Sequence, residues 1–282
     1  MPAAIVTGGS RGIGLAIARD LASRGFDLVL GARTEHQLME ARDRIGREFR
    51  VRCLAHRTDV ADPVQAEALV ERAVAELGRI DGLVNNAGMT GAIGDLQQCD
   101  LREWRAALEV NLFGTMHMMR AAIPHMRKQG GGRIVNLAGG GIGGPGVAPR
   151  ISAYATSKAA VVQLTECIAR EVAADGIFVN AISPGAVVTE MTAGVIAAGV
   201  EKAGRELYER TLQQRESGGE SPELAARLVA WLLSPASKNL SGKLLSAKWD
   251  DVSRIDPEGA NRSSLYALRR IDGALFREVP SK

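Results

Sequence analysis

Short apolar runs alternate with longer amphipathic stretches along most of the chain. Residues 3–6 are apolar and run into glycines, the pattern of a strand buried on both faces. Over 13–22, Ile13, Ile17, Ala18 and Leu21 recur at helical spacing. Strand-like runs return at 27–30, 51–55, 82–85, 133–137, 178–182 and 243–247. Helix starts between them are legible as caps. Thr34 with Gln37 forms a capping box that opens a helix to about 48. Asp62-Pro63 joins a cap to a first-turn proline, and that helix stops at Leu77-Gly78. Asp100 with Glu103 opens a helix reaching about 128. Further helices are expected over 153–174, over 190–217, and from Ser221-Pro222 to Leu233.

Strands that alternate with helices from the first residue make βαβ units, hence an α/β fold with a parallel sheet. Right-handed crossovers place helices on both faces, the doubly wound arrangement. No repeat and no shift of composition divides the chain.

At 282 residues, 46% hydrophobic and 24% charged, the chain is globular rather than disordered. Its longest apolar stretches, such as 191–200, are about half of what a membrane span needs. The N-terminus lacks a basic segment followed by a long apolar run, so a cytoplasmic protein without membrane partners is expected. A net charge of +3 with no Lys/Arg run argues against nucleic acid as a partner. Four scattered histidines show no metal-binding spacing, and three scattered cysteines no disulfide framework.

The glycines change the picture. The first expected strand runs into Thr7-Gly8-Gly9-Ser10-Arg11-Gly12-Ile13-Gly14. A glycine-rich turn between a strand and a helix start lets backbone N–H groups approach a pyrophosphate, and the helix N-terminus favours its charge. The plainer alternative is a tight turn; the strand before and the amphipathic helix after favour a dinucleotide. The second strand ends in Leu30-Gly31-Ala32-Arg33, with none of the carboxylate that holds the ribose hydroxyls of NAD. Arg11 and Arg33 could instead meet a 2′-phosphate, so NADP(H) is expected over NAD(H), which remains possible.

Tyr154 and Lys158 stand four apart and share a helix face. A lysine ammonium beside a phenol favours its ionised form and brings it into range for proton transfer near neutrality. Tyr266 and Arg270 repeat the spacing in the tail and are assigned no chemistry.

Together these residues resemble the short-chain dehydrogenase/reductase family. The matching marks are TGGSRGIG at 7–14, Asp59-Val60 after the third strand, Asn85-Asn86-Ala87-Gly88 after the fourth, Asn111, Tyr154-x-x-x-Lys158, and Ser183-Pro184-Gly185 followed by Thr189, in order over about 1–247. The resemblance implies a seven-stranded Rossmann-type sheet and a single dinucleotide-binding and catalytic domain over 1–248, with 249–282 as its extension. It implies a cofactor site formed by Gly8, Ser10, Arg11, Gly12, Ile13, Gly14, Arg33, Asp59 and Val60 toward the adenosine. Asn86, Ala87, Gly88, Tyr154, Lys158, Pro184, Gly185, Val187 and Thr189 would face the nicotinamide half. Asn111 would position a water in a proton relay. Hydride would pass between nicotinamide and the carbonyl carbon of a small ketone, or from the matching alcohol, with Tyr154 as general acid or base. A homodimer or homotetramer is implied, with Leu108, Leu112, Val161 and Leu164 at the subunit contact.

Two departures stand out. The family's usual serine lies about three residues past the asparagine that ends the fifth strand, or thirteen before the tyrosine; here those counts land on Gly139 and Gly141. The nearest hydroxyl, Ser152, is expected to cap the helix bearing Tyr154, with catalysis as its lesser role. Gly139, Gly140 and Gly141 could offer backbone N–H groups to the substrate oxygen instead. The last strand runs into Ala247-Lys248-Trp249 and a tail where Leu265, Leu268, Ile271 and Leu275 suggest a packed helix. Loss of the serine keeps a second reading open: a cofactor-binding regulatory or scaffold protein on the same fold.

Overall fold

The computed structural model describes residues 1–139, 142 and 149–268. Seven parallel strands form one sheet in the order β3-β2-β1-β4-β5-β6-β7. They are β1 (Ala3–Thr7), β2 (Asp27–Ala32), β3 (Cys53–Arg57), β4 (Gly82–Asn85), β5 (Gly132–Leu137), β6 (Ile177–Ser183) and β7 (Leu244–Ser246). The third strand starts two residues later than its apolar run suggests, because Phe49–Arg52 form the turn out of the preceding helix and Arg52 turns back to Asp27.

Helices cover both faces. On one side α1 (Gly12–Ser23), α2 (Glu35–Glu48) and α9 (Pro222–Leu233) bury Ile17, Leu21, Leu38, Ile45 and Val229 against Val6, Leu28, Leu30 and Val84. On the other, α3 (Pro63–Leu77) and α5 (Gly114–Lys128) bury Leu69, Val70, Met118 and Ala122 against Ile5, Val29, Leu83 and Ile134. Asp62 caps α3 by accepting from the N–H groups of Val64 and Gln65, and Gly78 ends it at φ +79. The capping box at Thr34 does not form: its side chain makes no cap bond to α2.

The helix expected over 100–128 is α4 (Leu101–Leu108) and α5 joined through one π turn, Glu109–Phe113, which carries Asn111. The extra residue in that turn rotates Asn111 inward, and Asn111 is fully buried. The segment expected as one helix over 190–217 is divided into α7 (Glu190–Ala203), itself kinked at Gly199 (φ +72), and α8 (Arg205–Glu216), with a further break at Gly204 (φ +73). Both lie outside the sheet and pack Val195, Ala203 and Leu207 on Ile93, Ile151 and Tyr208.

Beyond β7 the chain folds back on the sheet edge. A short helix, α10 (Pro257–Arg262), is capped by Asp256. Residues 263–267 then run as bends and turns, not as the helix that their spacing suggests. The Tyr266 carbonyl accepts from Leu244 N–H on β7. The buried Lys243 Nζ donates to the carbonyls of Ser263 (2.9 Å) and Leu265 (3.1 Å). Leu268 N–H donates to Glu166 on α6 (Ser152–Glu171). This covers an edge strand that would otherwise offer unpaired backbone groups. Ile271 and Leu275 lie outside the described residues.

Candidate active site

The strand order reverses between β1 and β4, so the connections leaving their C-terminal ends diverge and open a crevice, the place where doubly wound sheets take nucleotides. The loop 7–14 lies on one lip. Gly8 and Gly12 adopt φ +62 and +54, conformations that other residues reach only with strain. A Cβ at Gly8 would lie 2.8 Å from Asn86 Nδ2, and one at Gly14 would strike the Gly8 carbonyl. Gly8 N–H donates to the Gly31 carbonyl (2.7 Å), which fixes the loop beside the end of β2 and the exposed Arg33. Arg11 is also exposed, and its guanidinium pairs with Glu190 at the start of α7.

Thr7 ties the two lips together. Its Oγ1 accepts from the N–H groups of Asn86 (3.0 Å) and Ala87 (3.1 Å). Asn86 Nδ2 returns bonds to the carbonyls of Thr7 (2.9 Å) and Gly8 (3.1 Å). Thr7 belongs to the motif at 7–14, but neither its bonds nor those of the carboxamide were readable from the sequence. Asp59 is partly buried and accepts from Ala61 N–H (3.1 Å). Val60 is packed under Gly114, where a Cβ would come within 2.6 Å of its methyl group.

The segment 183–189 forms the far wall. Pro184 and Val187 are buried, Gly185 takes φ +89, and Ala186 accepts from Glu220 N–H (3.0 Å). Thr189 and Thr192 make a reciprocal capping box at the start of α7. Ser10 and Ile13 stand partly exposed on the glycine loop.

Between these walls the structure gathers the expected catalytic residues. α6 is held against the sheet by a buried polar chain: Asn85 Nδ2 donates to Asn136 Oδ1 (2.8 Å), and Asn136 Nδ2 to Thr165 Oγ1 (2.9 Å). That sets the helix so that Lys158 Nζ reaches the Leu137 carbonyl at 2.8 Å. Asn111 Oδ1 accepts from Met89 N–H (2.8 Å), while its Nδ2 donates to the Met89 carbonyl and to Ser157 Oγ, both at 2.9 Å. Ser157, fully buried, in turn donates to the Tyr154 carbonyl (2.8 Å). Gly88 is the meeting point: a Cβ there would stand 3.1 Å from Asn111 Oδ1, 3.4 Å from Lys158 Nζ and 3.5 Å from Met191 Cε. Tyr154 leans over the end of β5, its hydroxyl against Gly139.

Two expectations need correction. Burial pushes the Tyr154 phenol up to about 12 and pulls the Lys158 ammonium down to about 8. Loss of water governs both groups. Ser152 does not cap α6: the helix already includes it, the cap position is Ile151, and Ser152 Oγ accepts from the indole N–H of Trp104 at 3.1 Å. Gly140 and Gly141 lie outside the described residues. Among the expected contact residues, Val161 is fully buried within its own chain, whereas Leu108, Leu112 and Leu164 are partly exposed. No group of three or more metal-ligating side chains occurs among the described residues, and none of their helices is long and apolar enough to cross a membrane.

The family model for short chain dehydrogenases matches residues 2–198. Over 248 residues the chain is 37% identical to cis-4-hydroxycyclohexanecarboxylate dehydrogenase of Sinomonas cyclohexanicum, covering 86% of this chain and 93% of that one. Its fold is similar to an NAD+-bound xylitol dehydrogenase (TM-score 0.79, 31% identity, 87% and 96% of the two chains). It is equally similar to an actinorhodin polyketide ketoreductase with NADPH (TM-score 0.78, 33% identity, 87% and 95%).

Proposed function

The chain belongs to the short-chain dehydrogenase family, and on that premise we propose that it moves hydride between NADP(H) and the carbonyl or secondary alcohol of a small molecule. The observation that carries this reading is the convergence of Lys158, Asn111 and Gly88 beside Tyr154 at the ends of β4 and β5. The crevice suits a dinucleotide: the backbone at Gly8 and Gly14 leaves no room for side chains, so main-chain groups face the space where phosphates would lie. The bound nicotinamide supplies or accepts the hydride.

The remaining work falls to the chain. Tyr154 gives its proton to the substrate oxygen in reduction and takes it back in oxidation. Its phenol is held protonated, the form that reduction requires. Lys158, anchored on the Leu137 carbonyl, faces the ribose and lowers the phenol once the site is filled. Asn111, in its π turn, orders the water through which the proton is replaced. The backbone at Gly139, where a Cβ would meet the Tyr154 hydroxyl, would offer its N–H to the carbonyl in place of a serine. Asp59 meets the adenine, and the apolar wall 182–188 meets the nicotinamide face. The relative from Sinomonas is named for a hydroxycyclohexanecarboxylate, which makes 4-oxocyclohexanecarboxylate the first ketone to try.

Tyr154→Phe removes only the transferable proton. It should bind NADPH with wild-type affinity and lose at least a hundredfold in kcat. Near-normal turnover would refute the assignment. The glycine at 139 also favours a second reading, a cofactor-binding protein without catalysis. Stoichiometric NADPH binding with no turnover on a broad carbonyl panel would select it.

A further inference from the structure

Arg150 sits four residues before Tyr154 and carries φ +71, a left-handed conformation that a long side chain adopts only when its surroundings impose it. Three contacts impose it. Its Nη1 pairs with Asp95 Oδ2 at 3.0 Å. Its carbonyl accepts from Gly94 N–H at 2.8 Å. Its stem lies along Gly204, where a Cβ would stand 3.5 Å from both Cγ and Nε. Gly204 is the break between α7 and α8, and the next residue after Arg150, Ile151, packs into the cluster that seats those two helices. Three separate stretches, 93–95, 150–151 and 203–208, therefore meet on one residue. Ile151 also accepts from Ala155 N–H in the first turn of α6, so the same junction continues into the helix turn that bears Tyr154.

We propose that α7 and α8, whose Met191 stands beside Gly88, form a lid over the site, and that Arg150 is a positioning residue that pins this lid to the first turn of α6 and so sets the space between the lid and Tyr154. Its three contacts are with Asp95, Gly94 and Gly204, none of them an expected catalytic residue. It acts by holding the lid joint at Gly204 and the loop at Asp95 in one geometry, which fixes the width of the substrate mouth. Gly204 suits this joint, since any other residue there would carry strain at φ +73. The proposal rests on Tyr154 being the proton-transferring group, so its test includes a readout that needs no turnover.

The test uses Arg150→Gly, which accepts the left-handed backbone without strain and deletes the side chain, with Arg150→Lys as the conservative control. Hydrogen exchange is measured on the cofactor-free enzyme, and steady-state kinetics are run with NADPH and 4-oxocyclohexanecarboxylate. In Arg150→Gly, amides over 200–208 should exchange at least tenfold faster, while those over 158–170 stay at the wild-type rate and Tm holds or rises. KM should increase at least fivefold with kcat changed less than twofold, and Arg150→Lys should recover part of that loss. Exchange over 200–208 within twofold of wild type would overturn the proposal. So would faster exchange spread over the whole chain, which marks a merely structural role. If wild type fails to turn over the ketone, the catalytic reading falls for that substrate while the exchange result still decides the role of Arg150.

Discussion

The Tyr154 hydroxyl lies where a side chain at position 139 would have to go. A Cβ built on Gly139 would stand 2.8 Å from Tyr154 Oη and 2.9 Å from Cε1. The glycine at 139 and the placement of the tyrosine are thus one feature: the phenol settles onto the loop backbone. Gly139→Ser should therefore displace the ring and not restore a missing donor. The expected result is a loss of at least tenfold in kcat with NADPH affinity unchanged, read by steady-state kinetics and by cofactor fluorescence titration. A rise in kcat would show that the ring swings aside and that the added hydroxyl takes up the substrate oxygen.

A buried lysine leaves a mark on stability. Lys158 is held at about 8 against an ordinary 10.5, so between those values the unfolded chain binds the extra proton and the folded one does not. Stability then rises with pH across that window, and below pH 8 the buried charge costs on the order of 3 kcal/mol. Tyr154 acts in the opposite sense higher up. Its phenol is raised to about 12 from 10.0, so stability falls as pH climbs from 10 to 12. Lys158→Met should be more stable than wild type at pH 7 by roughly 1–2 kcal/mol, after about 1 kcal/mol is returned for the lost bond to Leu137. That advantage should shrink toward pH 10. Denaturant unfolding at pH 7, 9 and 10 measures it, and an advantage that does not change with pH would contradict the account.

The division between what the chain announces and what it conceals follows from the range of the interactions. Glycine spacing, caps such as Asp62 and Ser221, and the alternation of apolar runs act within a few residues, so the sheet, its helices and the order of the site loops were legible. Gly88, Asn111 and Lys158 come together from two different connections of the sheet, and Tyr154 shares the helix of Lys158. Contacts made across the fold left no local trace. Trp104 takes Ser152 from across 48 residues, and that removes the serine from its expected cap. The π turn at Asn111 has no proline or glycine break to announce it; it is needed because Asn111 must reach both Met89 and Ser157. The upward shift of the Tyr154 phenol comes from burial, which four-residue spacing does not specify. The course of the tail along β7 depends on Lys243 and Glu166, distant in sequence and unremarkable in composition.

The proposed preference for NADP(H) rests on Arg11 and Arg33, which stand exposed on neighbouring connections of the crevice with no carboxylate at positions 31–33. Arg11, however, is paired with Glu190, and that acid competes with a 2′-phosphate for the same guanidinium. NADPH should still bind more tightly than NADH. Ala32→Asp combined with Arg33→Ile should reverse the order, and Glu190→Gln should widen the NADPH preference severalfold by freeing Arg11. Kd values for both cofactors, measured at one fixed salt concentration, decide it. Tighter NADH binding by the wild type, or no response to Glu190→Gln, would remove Arg11 from the 2′-phosphate site.

Ser152 stands two residues before Tyr154 in α6, and its bond to Trp104 decides how its loss will read. An oxyanion donor removed from a site that relies on it costs roughly 3–4 kcal/mol in the transition state, a fall of several hundredfold in kcat. A neutral hydrogen bond between two partly buried side chains costs about 1 kcal/mol of stability. Ser152 Oγ is committed as an acceptor from the Trp104 indole, which ties α4 to the first turn of α6. Ser152→Ala should therefore lower stability by about 1 kcal/mol and shift the Trp104 emission, since the indole N–H must then turn to water. Its kcat should stay within about threefold of wild type. A fall of a hundredfold with the fold intact would mean that Ser152 leaves Trp104 during turnover and serves the substrate oxygen in place of the absent serine.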